Sequence, residues 1–531
     1  MAHCASRLTL HYDMPPSMMR LAGGLVLKKM MRSSTAWFSA LLLASAVVAG
    51  CSVSRAPLMA SGPRDLGPVT AASFSGNRPA VVGVKYSAPA ELSRMVDAGL
   101  EIWYVDQKEK RAFGQVGAES LPALQRLGAQ LRMVQSPGTF NNFGPGYHTY
   151  DEIKEILAGM AAKHSDKARL VDIGDGWEKT QGKSDRDVLA LQIGKGDRTG
   201  KPAVLLCGNH HAREIVTPEI VLKIAEMLLE GSDSDPDLAH FVENRDIWLI
   251  PMVNPDGHRL AAKGVDWRKN TDNSAGGGAN YAKGPNGPGV DLNRNYGFKW
   301  GLPGASPSAT APTFRGPGPF SEPETQAIKR LVESRKWTFL MTYHSFSNLI
   351  LWPWGHTNAP PPDNRLAPIG QKLGQLSGYK PQQSVKLYPT SGDTTDWAFG
   401  EHGILSYTTE IGSWGDGFDP PYAKLASFWK QNEPGARLLL QLADNPAHIF
   451  GPELTTVARK KDAIEVLASR GAVEVEAFAG QAGPDGTGLK VALSEGRGVL
   501  PATLKSANGL ILLHAKDSKG TWGPIKAVFS R

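Results

Sequence analysis

Cysteine is scarce in this chain. Cys4, Cys51 and Cys207 are its three thiols, too few for a disulfide framework, so the fold has to be held by buried apolar surface. Cys207, inside an apolar run, reads as a buried thiol packed in the core. Long apolar runs are missing as well: the stretch 36–49 falls short of the roughly 20 residues that a membrane-spanning helix needs. Nor is there a block of one charge. The net charge is +7, but lysines and arginines are scattered, and the densest cluster, Arg459, Lys460 and Lys461, is short; no nucleic-acid partner is expected. What remains is a chain of 531 residues with globular composition, enough for roughly two to four domains.

Residues 1–50 read as an export leader. Lys28, Lys29 and Arg32 precede the apolar stretch, as in a signal peptide. The stretch closes on Val48, Ala49, Gly50 and Cys51, which resembles a bacterial lipoprotein cleavage box. Cys51 is therefore the expected lipidation site, anchoring an exported chain to a membrane; without the lipid the chain would be periplasmic or extracellular. Because the pattern begins near Lys28, with Met18, Met19, Met30 and Met31 all at hand, the true start is expected downstream of Met1.

Composition then divides the rest. Residues 51–79, rich in Ser, Ala, Gly and Pro, read as a linker. Residues 80–135 alternate as βαββαβ, the split-βαβ plan of an α+β unit, either a propeptide-like unit, inhibitory or assisting folding, or a plain accessory domain. Residues 136–146 have linker chemistry and are the natural processing point. From Tyr147 to Ala443, helical patterns alternate with apolar strands, which predicts an α/β domain on a mixed sheet. Residues 444–531 are β-rich: within 470–531 four short alternating strands predict a small β-sandwich-like module, and no ligand constellation is visible there.

Chemistry concentrates after the apolar run that ends near Gly208. His211 and Glu214 form an H-x-x-E pair, one nitrogen and one carboxylate that a turn at a strand end can aim at a single Zn2+. His344, at the end of the apolar run 337–343, supplies a third ligand, giving His2Glu with an open position for water.

With these ligands, the ordered motifs VNPDG (253–257), WRKN (267–270), GVDLNRN (289–295), FSEPE (320–324), YHSFS (343–347), SGDTTDW (391–397) and YTTE (407–410) resemble the zinc metallocarboxypeptidases of the A/B type, most closely bacterial broad-specificity members. The similarity runs from about Tyr147 to Leu442. It implies one Zn2+ per catalytic domain and peptide or protein C-termini as substrates. Glu410 would be the general base acting on zinc-activated water, and Arg268 the oxyanion stabiliser. Asn293, Arg294 and Tyr388 would hold the terminal carboxylate. Arg213 would dock incoming carboxylates or form a structural ion pair; Asp291 would orient the His211 ring or cap a turn. Thr395 stands at the floor of the side-chain pocket with Asp393 nearby, which implies broad preference: apolar C-terminal residues and, less well, basic ones, unless Asp393 is turned into a hydrogen-bond network. Phe346 replaces a tyrosine common in relatives, and the Gly/Asn-rich loop 271–288 lacks a convincing calcium-ligand spacing. A monomer is expected. Cell-wall stem peptides as substrates, or peptide binding without catalysis, are the competing readings.

Overall fold

In the computed structural model of this protein, residues 63–74, 78–137, 143–276, 280–461, 463–501, 504 and 506–530 are described; the leader and Cys51 lie outside them. Five strands, β1 (Asp65–Pro68), β2 (Ala80–Lys85), β3 (Leu100–Asp106), β4 (Arg111–Val116) and β5 (Leu131–Val134), form an antiparallel sheet in the order β1-β5-β2-β4-β3. β1 corrects the expectation that 51–79 is all linker. It has no alternating apolar pattern, its Leu66 is exposed, and it is held by backbone pairing and an Asp65–Arg132 ion pair of 3.1 Å. Such a strand leaves no period-2 trace to read. The helix Pro89–Asp97 covers one face, burying Leu92, Met95 and Val96 against Val82 and Val84. The other face presents Trp103, Phe113 and Val134 to Phe346, Trp414 and Phe418.

The second sheet contains β6 (Ala168–Asp175), β7 (Asp187–Ile193), β8 (Ala203–Gly208), β9 (Asp246–Ile250), β10 (Trp337–His344), β11 (Leu349–Trp352), β12 (Lys380–Gln383) and β13 (Leu405–Glu410). Its eight strands run in the order β12-β11-β13-β10-β8-β9-β7-β6. β9, β8, β10 and β13 are mutually parallel, whereas β11, β7 and β6 pair antiparallel to their inner neighbours, so the sheet is mixed. Every residue of β8 is buried, as a parallel strand covered on both faces requires, and this is why AVLLCG reads as a continuous apolar run. Val204 and Leu206 face the helices Val216–Gly231 and Leu425–Leu442; Leu205 and Cys207 face Pro323–Glu333 and Thr394–His402. Burial pushes the Cys207 thiol up to about 12.

Seven strands follow: β14 (Leu454–Arg459), β15 (Ala463–Ala468), β16 (Ala472–Ala479), β17 (Leu489–Ala492), β18 (Arg497–Pro501), β19 (Leu510–Asp517) and β20 (Lys526–Phe529). They form two antiparallel sheets, β14-β15-β18 and β17-β16-β19-β20. Ile464, Val466 and Leu500 of the first pack against Val475, Ile511 and Leu513 of the second. β14, β15 and β18 go beyond the four strands legible in 470–531. The β20 edge is tied to the α/β part at Asp237, which accepts from Lys526 Nζ at 2.9 Å and from Ala527 N at 2.8 Å.

Candidate active site

Three adjacent parallel strands end together. β8 leads into His211 and Glu214, β10 ends on His344, and β13 ends on Glu410, with His344 in register with Glu410 and Tyr343 with Gly208. The carboxyl ends of a parallel sheet are where successive loops diverge and leave a crevice. The turn that carries His211 and Glu214 is fixed by buried Asn209, whose Nδ2 donates to His211 O at 3.1 Å and Ala212 O at 3.2 Å.

The three ligand candidates converge. His211 Nδ1 lies 2.8 Å from Glu214 Oε1, His344 Nδ1 lies 2.9 Å from Glu214 Oε2, and the two Nδ1 atoms are 3.1 Å apart. All three residues are buried. Burial alone would raise the Glu214 pKa, but the two imidazoles more than offset it and hold the carboxylate ionised. The remaining ring nitrogens are already engaged: His211 Nε2 with Asp291 Oδ1 at 3.1 Å and His344 Nε2 with Thr342 Oγ1 at 3.1 Å. Burial would raise the Asp291 pKa, but Arg268 and His211 more than offset it, so a carboxylate faces His211 Nε2 while Nδ1 is turned to Glu214. A pair of imidazole nitrogens and a carboxylate converging on one point is a donor set that fits Zn2+. Asp291 also accepts from Asn293 N at 3.0 Å, so it contacts both the His211 ring and the turn that follows it.

The cavity beside this cluster is lined by Arg268, Asn293, Arg294, Tyr388, Asp393, Thr395 and Glu410, so the side chains singled out in the sequence come together. Arg294 Nη2 donates to Tyr388 Oη at 2.9 Å. Glu410 keeps part of its surface open to the cavity; burial of the rest and the nearby Glu214 charge push its pKa well above the usual carboxylate range, while Arg268 and Arg294 pull it back. Arg268 binds Asp291 Oδ2 at 2.8 Å through Nη2. Asp393 is turned into a hydrogen-bond network: it caps the helix Thr394–His402 through Asp396 N at 2.9 Å and accepts from Thr390 and Thr395 hydroxyls, both at 2.9 Å.

Arg213 does not line this cavity. It is fully buried, paired with Glu101 and, at 2.8 Å, with Asp266, and stacked on the Phe418 ring at 3.9 Å. Glu101, absent from the expectations, belongs to β3, and Arg268 Nη1 reaches the same carboxylate at 3.2 Å. Ile102 and Trp103 of that strand also line the cavity, which is reduced to about 80 Å3, far below the roughly 300–1,000 Å3 of ordinary ligand sites. Trp103 also lines a cavity of about 670 Å3 with Asp266, Lys283 and Asp416. An acid within the apolar strand LEIWYV is the one trace of this contact in the sequence. The loop after Arg268 touches the same unit, Asn286 Nδ2 donating to Glu119 Oε1 at 2.7 Å. Phe346 sits in the aromatic cluster, 6.1 Å from Trp103 and 4.8 Å from Phe418 between ring centroids.

Residues 153–435 match the family described as zinc carboxypeptidase. A zinc carboxypeptidase of Saccharothrix mutabilis subsp. capreolus is 33% identical over 328 residues, covering 58% of this chain and 71% of that protein. Carboxypeptidase A2 of Mus musculus is 33% identical over 273 residues, 49% of this chain and 61% of that one. Among solved structures, carboxypeptidase A from Helicoverpa armigera aligns with 69% of this chain and 98% of its own at a TM-score of 0.57 and 24% identity, a likeness of fold.

Proposed function

This chain belongs to the zinc carboxypeptidase family, and on that premise we propose that His211, Glu214 and His344 hold the ion and that Glu410 is the general base for hydrolysis of the last peptide bond. The observation that carries the reading is the convergence of these four side chains at the ends of three adjacent strands. Zn2+ bound there would supply Lewis acidity and lower the pKa of water. The charge of the bound ion would offset the push of burial and Glu214 on the Glu410 pKa, and the ionised Glu410 would take the proton of the attacking water and hand it to the leaving amine. Arg268 faces the oxygen on which negative charge develops. Arg294, with Tyr388 and Asn293 beside it, clamps the substrate's terminal carboxylate, so the enzyme acts at chain ends. Arg213 docks peptides further out once Glu101 has left. The pocket of Leu351, Leu387, Thr390, Thr395 and Thr408 favours apolar C-terminal residues. Basic ones are accepted less well, because Asp393 is occupied by its cap and two hydroxyls.

The propeptide reading is also part of the proposal: residues 80–135 keep the enzyme latent, with Glu101 taking the place of a substrate carboxylate on Arg213 and Arg268, and cutting within 136–146 releases it. The chain is exported as a monomer, lipid-anchored at Cys51 or free outside the cytoplasm, and 444–531 form a β-sandwich-like module. Among the described residues no helix is long and apolar enough to cross a membrane. The activity is tested with blocked dipeptides and a chain beginning at Pro145. Hydrolysis should stop with a chelator and return with Zn2+; turnover indifferent to chelation would overturn the assignment. Incorporation of labelled lipid that disappears in Cys51→Ser tests the anchor.

A further inference from the structure

A second set of metal-type donors lies outside the active site. His448 sits in the 3-10 turn Pro446–Phe450 that follows the helix Leu425–Leu442, Asp485 in the loop between β16 and β17, and His514 within β19. They share no local spacing, so the sequence shows no constellation there, yet each offers a ligand atom and all three atoms lie within 4.8 Å of one another. His448 is 3% and His514 1% exposed, and their rings meet edge to face with centroids 5.3 Å apart.

The ring nitrogens supply an independent observation. His514 Nε2 lies 2.6 Å from Glu476 Oε1, and Glu476 already accepts from Gly486 N at 2.8 Å and Gly488 N at 3.1 Å. Both Glu476 oxygens thus accept from backbone N–H groups, and His514 Nε2 is the ring nitrogen turned to that carboxylate. His448 Nε2 lies 3.1 Å from Asp485 Oδ1. Nδ1 of both histidines is buried with no hydrogen-bond partner among the described residues. On His514, a carboxylate on one ring nitrogen and an unpartnered buried nitrogen on the other is the arrangement in which histidine ligates a metal, whereas on His448 the nitrogen that faces Asp485, a member of the same set, is the one placed to ligate. A neutral His448 ring can carry its proton on whichever nitrogen the metal leaves free.

We propose that one ring nitrogen of His448, one of His514 and a carboxylate oxygen of Asp485 bind a divalent transition-metal ion of the zinc class, separate from the catalytic site. Two imidazoles and one carboxylate suit Zn2+ or Co2+ better than Ca2+ or Mg2+. The ion fastens the turn after the last long helix of the α/β part to the C-terminal sheet. It joins there the Asp237 contacts and the close packing of Gly451 on Trp522, whose ring stacks on His514 at 4.4 Å.

The test uses the full chain, stripped with a chelator and titrated with Zn2+ alone, with bound metal counted by mass spectrometry and with Co2+ absorption as a spectroscopic signature. Two ions per chain are expected. His514→Gln should bind one. Asp485→Asn, which changes an exposed side chain and keeps the fold, should weaken the second ion at least about tenfold. His344→Gln should lose the catalytic ion and keep the second, so failure of the active-site reading is distinguishable from failure of this one. One ion in the unaltered chain, or a second ion held equally tightly in His514→Gln and Asp485→Asn, would overturn the proposal.

Discussion

Glu101 Oε1 lies 3.2 Å from Arg268 Nη1, a contact that spans 167 positions of sequence and joins the N-terminal sheet to the cleft. The same carboxylate pairs with Arg213, and Gln115 Nε2 donates to its other oxygen at 2.6 Å. Glu101→Gln removes the charge from bonds worth about 1.5–3 kcal/mol each, whereas Arg268 keeps Asp291 and Arg213 keeps Asp266. The uncut variant should therefore hydrolyse a blocked dipeptide at least about tenfold faster than the uncut parent. Equal initial rates would mean that Glu101 does not hold the cleft closed.

Asp291 holds two side-chain partners at once, His211 at 3.1 Å and Arg268 at 2.8 Å. Asp291→Asn keeps the shape and removes the charge that faces His211 Nε2. Zinc affinity, measured by competition with a chromophoric chelator, should fall about 10–100-fold. Unchanged affinity would reduce Asp291 to a cap for the turn that follows it.

A pH dependence of stability follows from Lys269. Its ammonium is fully buried and donates to Ala309 O and Ala311 O at 3.0 Å each; burial lowers its pKa to about 7, against the pull of Asp291 and Glu101. Between about pH 7 and the unfolded-chain value near 10.4, the unfolded state binds the extra proton, so this group's contribution to stability rises with pH. Urea midpoints compared for the parent and Lys269→Met should diverge in the parent's favour from pH 7 to pH 10. A constant or shrinking gap would contradict the assignment.

Side-chain preference depends on how far Asp393 is occupied. With both of its oxygens bonded to Thr390, Thr395 and Asp396 N, blocked dipeptides ending in Leu or Phe should be cleaved about tenfold faster than those ending in Arg or Lys, and Glu-ending ones least. Asp393→Asn should lower only the basic substrates' kcat/KM appreciably and leave the helix cap nearly intact, since Asn caps about as well as Asp. A leading rate for Arg would show that the carboxylate reaches the substrate directly.

Legibility in the sequence followed distance along the chain. His211 and Glu214 are readable because one turn carries both, and β8 and β10 because a parallel strand buried on both faces must be apolar throughout. Glu410 and Arg294 needed family resemblance, since a lone acid or arginine has no local signature of its role. β1 stayed hidden because backbone pairing at a sheet edge needs no apolar alternation. Glu101 and the set His448, Asp485 and His514 stayed hidden for a different reason: contacts between distant segments are made by packing, and no spacing records them.

The most direct measurement is the turnover and zinc content of Glu410→Gln in a chain beginning at Pro145. Loss of the base should lower kcat about 10²–10⁴-fold on a blocked dipeptide while one ion stays bound at His211, Glu214 and His344. Near-normal turnover in the zinc-loaded variant would contradict the assignment of Glu410 and, with it, the proposed mechanism.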